Sequence, residues 1–93
     1  MALGMVTTSL TAANGFSPAM EIRGKFNLSL SGTWAGTVYI QRSFDKGNNW
    51  LDVKSYTDNI EDVGEESEFG VQYRFGIKTT GITSGTVVGR LSF

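Results

Sequence analysis

At 93 residues the chain is one domain's worth of protein, too short for a propeller, a TIM barrel or a two-lobed enzyme. A net charge of −1, with Lys and Arg scattered singly, offers no basic stripe for phosphates and argues against nucleic acid as a partner. Without cysteine or histidine the chain lacks thiolate nucleophiles, disulfides, an imidazole base and the commonest transition-metal ligands, so no enzyme activity, metal or cofactor is expected.

Met1-Ala2-Leu3-Gly4-Met5-Val6 has neither a charged n-region nor a long apolar h-region, so no signal peptide is expected. No apolar run reaches the roughly 20 residues of a membrane helix, and no membrane partner is expected. Residues 5–11 and 19–23 carry enough β-branched or apolar side chains for strands, with a turn at Asn14-Gly15 and a restriction at Ser17-Pro18. Period-2 alternation then begins in earnest. Phe26, Leu28 and Leu30 alternate with Asn27, Ser29 and Ser31, predicting a strand that ends in a turn at Ser31-Gly32-Thr33. Trp34 sits in a turn flanked by Gly32 and Gly36, a poor place for burial by its own sheet, and is the leading candidate for an intermolecular anchor. Val38 and Ile40, with Phe44 further along, alternate with Tyr39, Gln41 and Ser43 in the next strand, which runs to the turn Asp45-Lys46-Gly47-Asn48-Asn49.

After the turn, Leu51 and Val53 are predicted on one face of a strand, with Trp50, Asp52, Lys54 and Tyr56 on the other. Residues 57–68, with Gly64 and crowded carboxylates, read as a polar loop. Val71, Tyr73, Phe75 and Ile77 form the clearest alternation of the chain. The last strand, residues 86–93, puts Val87, Leu91 and Phe93 on one face and Val88 and Arg90 on the other. Phe26, Leu28, Val38, Ile40, Trp50, Val71, Tyr73, Phe75 and Leu91 are the expected core.

Six to eight short strands at this spacing predict an all-β fold, a small antiparallel β-sandwich of immunoglobulin/fibronectin-III-like or jelly-roll-like type. Residues 1–18 are read as an N-terminal arm or edge strand and residues 19–93 as the single sandwich domain. Such a leading segment can add a strand to a neighbouring molecule.

The most specific local pattern is Ser43-Phe44-Asp45-Lys46-Gly47-Asn48-Asn49-Trp50, which resembles the Asp-box hairpin, with Asn49 where threonine is usual. Asp45 is expected to accept backbone N–H groups of the loop, Gly47 to supply a positive φ, and Trp50 to lie beneath the hairpin. The residues are read as a structural turn rather than a sugar site. Glu61, Asp62, Glu65, Glu66 and Glu68 form an acidic stretch without the spacing of a calcium loop, read as solvated or as a docking surface for a basic partner. The aromatics Trp34, Tyr39, Trp50, Tyr56 and Tyr73 are expected mainly in the core, a subunit interface or sugar platform being the alternatives. Trp34, Tyr39, Glu65 and Glu66 are the candidate interface residues.

Across residues 24–93, Phe-x-Leu-Ser-x-Ser-Gly-Thr-Trp-x-Gly-Thr-Val (26–38), Gln-Arg-Ser-Phe-Asp-x-Gly-x-x-Trp (41–50), Tyr-Arg-Phe-Gly (73–76) and Ser-Gly-Thr-Val (84–87) are similar to small β-sandwich virion proteins of tailed bacteriophages. The resemblance implies a structural protein of the virion, made in the host cytoplasm. It would bind the major capsid, portal or connector, or tail proteins, as capsid decoration or cement or as a head–tail or tail accessory ring. It also implies a homo-oligomer. The alternative is a small carbohydrate- or receptor-binding module of a phage tail.

Overall fold

The computed structural model describes residues 4–11, 14–78 and 82–93. Within them are eight strands and no helix: β1 (Met5–Leu10), β2 (Met20–Glu21), β3 (Gly24–Gly36), β4 (Val38–Ser43), β5 (Leu51–Tyr56), β6 (Ile60–Glu66), β7 (Gln72–Gly76) and β8 (Ile82–Ser92). They form two four-stranded antiparallel sheets, ordered β1-β8-β3-β6 and β2-β7-β4-β5. First therefore pairs with last, second with seventh, third with sixth and fourth with fifth. That is the winding of a jelly roll.

The alternating positions supply the core. Phe26, Leu28 and Leu30 of β3, Val38 and Ile40 of β4, Tyr73 and Phe75 of β7, and Val87 and Leu91 of β8 are buried between the sheets. Leu10, Ile22, Val71 and Ile77 join them from β1 and the strand ends. Residues 4–10 and 15–17 do not stand apart from this body. β1 runs in continuous register with β8, and residues 15–17 are tied to β7 by Ser17 N–H to the Phe75 carbonyl and Ile77 N–H to the Gly15 carbonyl, both 2.8 Å.

Four expectations are corrected. No turn forms at Ser31-Gly32-Thr33: β3 continues through it for 13 residues. Gly32 is needed for another reason. Its φ is +100°, and a Cβ there would come within 2.5 Å of the Thr86 carbonyl oxygen, so glycine permits β8 to approach. Residues 57–68 are not a loop either, because Ile60–Glu66 is strand β6, paired with β3 from Leu30↔Ile60 to Gly24↔Glu66. Trp50 is half-buried on the outer side of the β2-β7-β4-β5 sheet rather than in the core. Finally, the β4–β5 register shifts between Ile40 and Gln41, which skips Val53. The bulge sends Asp52 to the outer face and Lys54 and Tyr56 towards β6, and it leaves Leu51 and Val53 exposed.

Candidate interaction surface

The β4–β5 hairpin is built as its residue types dictate. The Ser43 hydroxyl donates to Asp45 Oδ1 (2.7 Å) and accepts the Gly47 N–H (2.8 Å). Asp45 Oδ1 also accepts the Asn49 N–H at 2.9 Å, while its Oδ2 accepts the Asn49 side-chain amide at 2.6 Å. Asn49 thus adds a donor of its own at the position where the pattern usually has threonine. Lys46 and Gly47 take positive φ, 60° and 90°, and the Trp50 ring lies against Gly47. The hydroxyl of Ser43 first, and then the two Asn49 donors, hold the Asp45 carboxyl down at about 2.

That depression has a testable sign. A carboxylate more acidic in the folded chain than in the unfolded one stabilises the fold above its unfolded value, 3.8, and ceases to as pH falls towards 2. Asp45→Ala should lower the melting temperature by roughly 5–10 °C at neutral pH. The deficit should shrink in melts recorded between pH 4 and pH 2. A deficit independent of pH over that window would show that the ionised carboxylate is not what holds the turn.

On the outer face of the same sheet, cations cover the aromatic rings. The Arg74 guanidinium lies 4.0 Å from the Phe16 ring centre and 4.3 Å from that of Trp50, while its Nε donates to Gln41 Oε1 at 2.9 Å. Burial lowers the Arg74 pKa. Gln41 in turn donates to Asp52, which also pairs with Lys78, and the Lys78 ammonium sits 4.3 Å from the Tyr39 ring centre. The Lys78 and Gln41 donors keep Asp52 below its ordinary value. A face of each of these three rings is therefore already occupied by the chain's own cations.

The acidic stretch divides by facing. In β6 the exposed positions are Glu61, Val63 and Glu65, while Asp62 and Glu66 turn inward. Asp62 Oδ2 accepts from Lys54 Nζ (2.9 Å) and the Tyr56 hydroxyl (2.8 Å), clamping β5 to β6 across the open side of the sandwich. The Lys54 and Tyr56 donors lower the Asp62 pKa; burial first, then the Asp62 acceptor, raises that of Tyr56. Glu66 is buried and accepts from the Tyr73 hydroxyl (2.6 Å), Arg42 Nη1 (3.2 Å) and the Glu68 N–H (3.2 Å). Burial pushes its carboxyl up, but these donors outweigh it and leave Glu66 below the usual value. The expected pair thus separates: Glu65 faces solvent opposite Lys25, and Glu66 belongs to the interior.

Trp34, expected in a turn, lies in β3, half-buried and packed on the core. Its indole N–H donates to Asn59 Oδ1 at 2.7 Å, and Asn59 Nδ2 donates to the Gly32 carbonyl at 3.0 Å. The side chains that the core does not absorb lie elsewhere. Phe69 is 78% exposed, Val63 74% and Phe44 50%, with Leu51, Val53 and Met5 about half exposed. Phe44 follows β4 and Phe69 precedes β7, and Ser43↔Gln72 pairs those two strand ends, so both rings sit at one end of the sandwich. Arg42 lies 4.9 Å from the Phe44 ring centre and Arg23 3.9 Å from that of Phe69. Phe44 was expected to continue the apolar face that Val38 and Ile40 begin, but β4 ends at Ser43 and leaves its ring exposed; Phe69 gave no signal, because it stands outside the alternating runs.

Between β5 and β6 a cleft of about 210 Å³ opens, lined by Phe26, Leu28, Ile40, Val53 and Val63 with Lys54, Tyr56 and Asp62 at its polar side. No group of acidic side chains suited to hold a metal ion occurs among the described residues. In comparisons with known proteins, no family model, curated protein or solved structure matches the chain.

Proposed function

We propose that the protein is a structural component of a tailed-bacteriophage virion that binds other virion proteins, as capsid decoration or cement or in a ring at the head–tail junction or tail. The observation that carries the contact itself is the pair of exposed rings at one end, Phe44 and Phe69, each flanked by an arginine. Aromatic and arginine side chains are the types enriched where proteins bury one another. The motifs of residues 24–93 support the virion setting. The jelly-roll winding is common to capsid and lectin domains, so it favours neither on its own.

Trp34 and Tyr39, half-buried, and Glu65, exposed, are further contributors to such contacts. Glu66 is withdrawn from that set, since a buried carboxylate with three donors has nothing to offer a partner. The carbohydrate-binding alternative loses support from the outer face, where Arg74 and Lys78 stack on the rings a sugar would use. No catalytic activity is proposed.

The test is incorporation. Phe44→Ser with Phe69→Ser should leave the melting temperature nearly unchanged, because both rings are exposed, yet reduce the copies bound per particle at least tenfold. Normal incorporation of that variant would overturn the assigned surface. Absence of the wild-type protein from reconstructed particles, with selective binding on a glycan array, would replace the virion reading by the carbohydrate one.

A further inference from the structure

Each sheet leaves two edges, and three of these four edges carry features that discourage pairing with another chain. β6 turns Asp62 and Glu66 inward and presents Glu61 and Glu65 outward. β5 has Asp52, Lys54 and the bulge at Val53, and β2 is two residues long with Pro18 just before it. Charges, bulges, proline and shortness are the usual protections of a sheet edge. β1, Met-Val-Thr-Thr-Ser-Leu, has none of them, and its six residues run without a register break against β8.

The direction of its free groups follows from the ladder. Gly4 and Phe93 exchange both backbone hydrogen bonds, at 3.2 and 3.0 Å. In an antiparallel pair such positions alternate, so Val6, Thr8 and Leu10 also turn their N–H and C=O towards β8. Met5, Thr7 and Ser9 turn theirs to the open edge, a row of three donors and three acceptors.

We propose that this edge pairs with the β1 edge of a second copy of the chain, antiparallel and about a two-fold axis through Thr7. The register is self-complementary. Thr7 faces Thr7 of the other copy, Met5 faces Ser9 on either side, and every free donor meets a free acceptor. Exposed side chains stay on the outer face of the joined sheet, while Val6 and Thr8 stay on the core side. The Thr–Thr pair is among the favourable cross-strand contacts. Self-pairing of β6 would instead set glutamates against glutamates.

Beside β1 lies Arg90 of β8, whose Nε is 3.0 Å from the Met5 sulfur. In the dimer the two β8 backbones are three strand spacings apart, about 14 Å. Two four-stranded sheets become one of eight. The inference names the partner for the self-association that the virion reading implies, but it rests on the strand edge and is tested on the isolated protein.

Sedimentation equilibrium of the wild type should show a monomer–dimer equilibrium. Thr7→Lys, which puts two ammonium groups face to face, should raise the dissociation constant at least tenfold. Thr7→Pro should do the same while keeping the wild-type circular dichroism, because the N–H it removes points away from β8. Thr7→Cys, in a chain with no other cysteine, should cross-link to a disulfide dimer under mild oxidation. The hydrogen-bonded pair places Cα atoms about 5.5 Å apart, within disulfide reach. Ser55→Cys, on the exposed β5 edge, should not cross-link at the same concentration. A wild type monomeric up to about millimolar concentration overturns the proposal, as does a dimer indifferent to both Thr7→Lys and Thr7→Pro. A monomeric wild type whose Thr7→Lys variant nonetheless fails to enter particles assigns the edge to a strand of a different protein.

Discussion

Glu66→Ala should cost about 2–4 kcal/mol, because it leaves the buried Tyr73 hydroxyl without its acceptor and strips Arg42 of its counter-charge. Arg42 is part-exposed and water compensates it, so most of the cost comes from Tyr73. With a urea m-value of about 1–2 kcal/mol/M for a chain this size, the midpoint should fall by roughly 1–4 M. Glu66→Gln keeps an oxygen for the Tyr73 hydroxyl and should cost about half as much. Equal costs for the two substitutions would mean that the charge on Glu66, rather than its acceptor geometry, fixes β6.

The same contact limits stability at both ends of the pH range. Glu66 lies below its ordinary value of 4.5, so its contribution is complete above that pH and is lost as the solution is acidified through the folded value. Burial, and then the Glu66 acceptor, raise the Tyr73 pKa to about 12. A raised value works in the opposite sense. The Tyr73 contribution is intact up to about pH 10 and disappears as pH climbs towards 12.

How much of this was legible in the sequence depends on what each residue buries. The strands around Phe26, Val38, Tyr73 and Leu91 were legible, because every second side chain enters the core. The Asp45 hairpin was legible too, since its hydrogen bonds close within seven residues. β6 was hidden. Its inward positions are Ile60, Asp62, Gly64 and Glu66, and the side chains that Asp62 and Glu66 bind lie 6 to 24 residues away, beyond any local pattern. Gly32 was misread because glycine marks turns and close backbone approaches alike, and only register tells them apart. The jelly-roll order was one of two open architectures, for pairing of β1 with β8 is a contact between the chain's two ends.

Register also explains a use of glycine that single-strand patterns do not reveal. Gly64 stands opposite Phe26 in the β3–β6 ladder, and the ring covers it so closely that a Cβ would lie 2.5 Å from the ring tip. Gly76 bridges Phe16, and Gly4 pairs with Phe93, each glycine again under the ring of its partner. A phenylalanine in these positions shields the glycine's bare backbone and gains a flat surface to pack on. All three glycines are sockets for rings.

The fourth socket lies between the sheets and is the most consequential. Gly89 of β8 is buried, and the edge of the Phe75 ring, from β7 in the opposite sheet, rests where its Cβ would be. An unobstructed glycine in a strand gains stability on replacement by alanine, because alanine restricts the unfolded chain. At Gly89 the sign should reverse, with Gly89→Ala losing about 2–3 kcal/mol as the fully buried ring has nowhere to go. Phe75→Leu should by itself cost about 1–2 kcal/mol for the space the ring vacates. In the double variant the alanine methyl occupies part of that space, so the combined loss should fall short of the two single losses by at least about 1 kcal/mol. Urea unfolding of the four proteins measures the cycle. Losses that add to within about 0.5 kcal/mol would mean that Phe75 and Gly89 do not press on one another, and that the two sheets are held apart by other side chains.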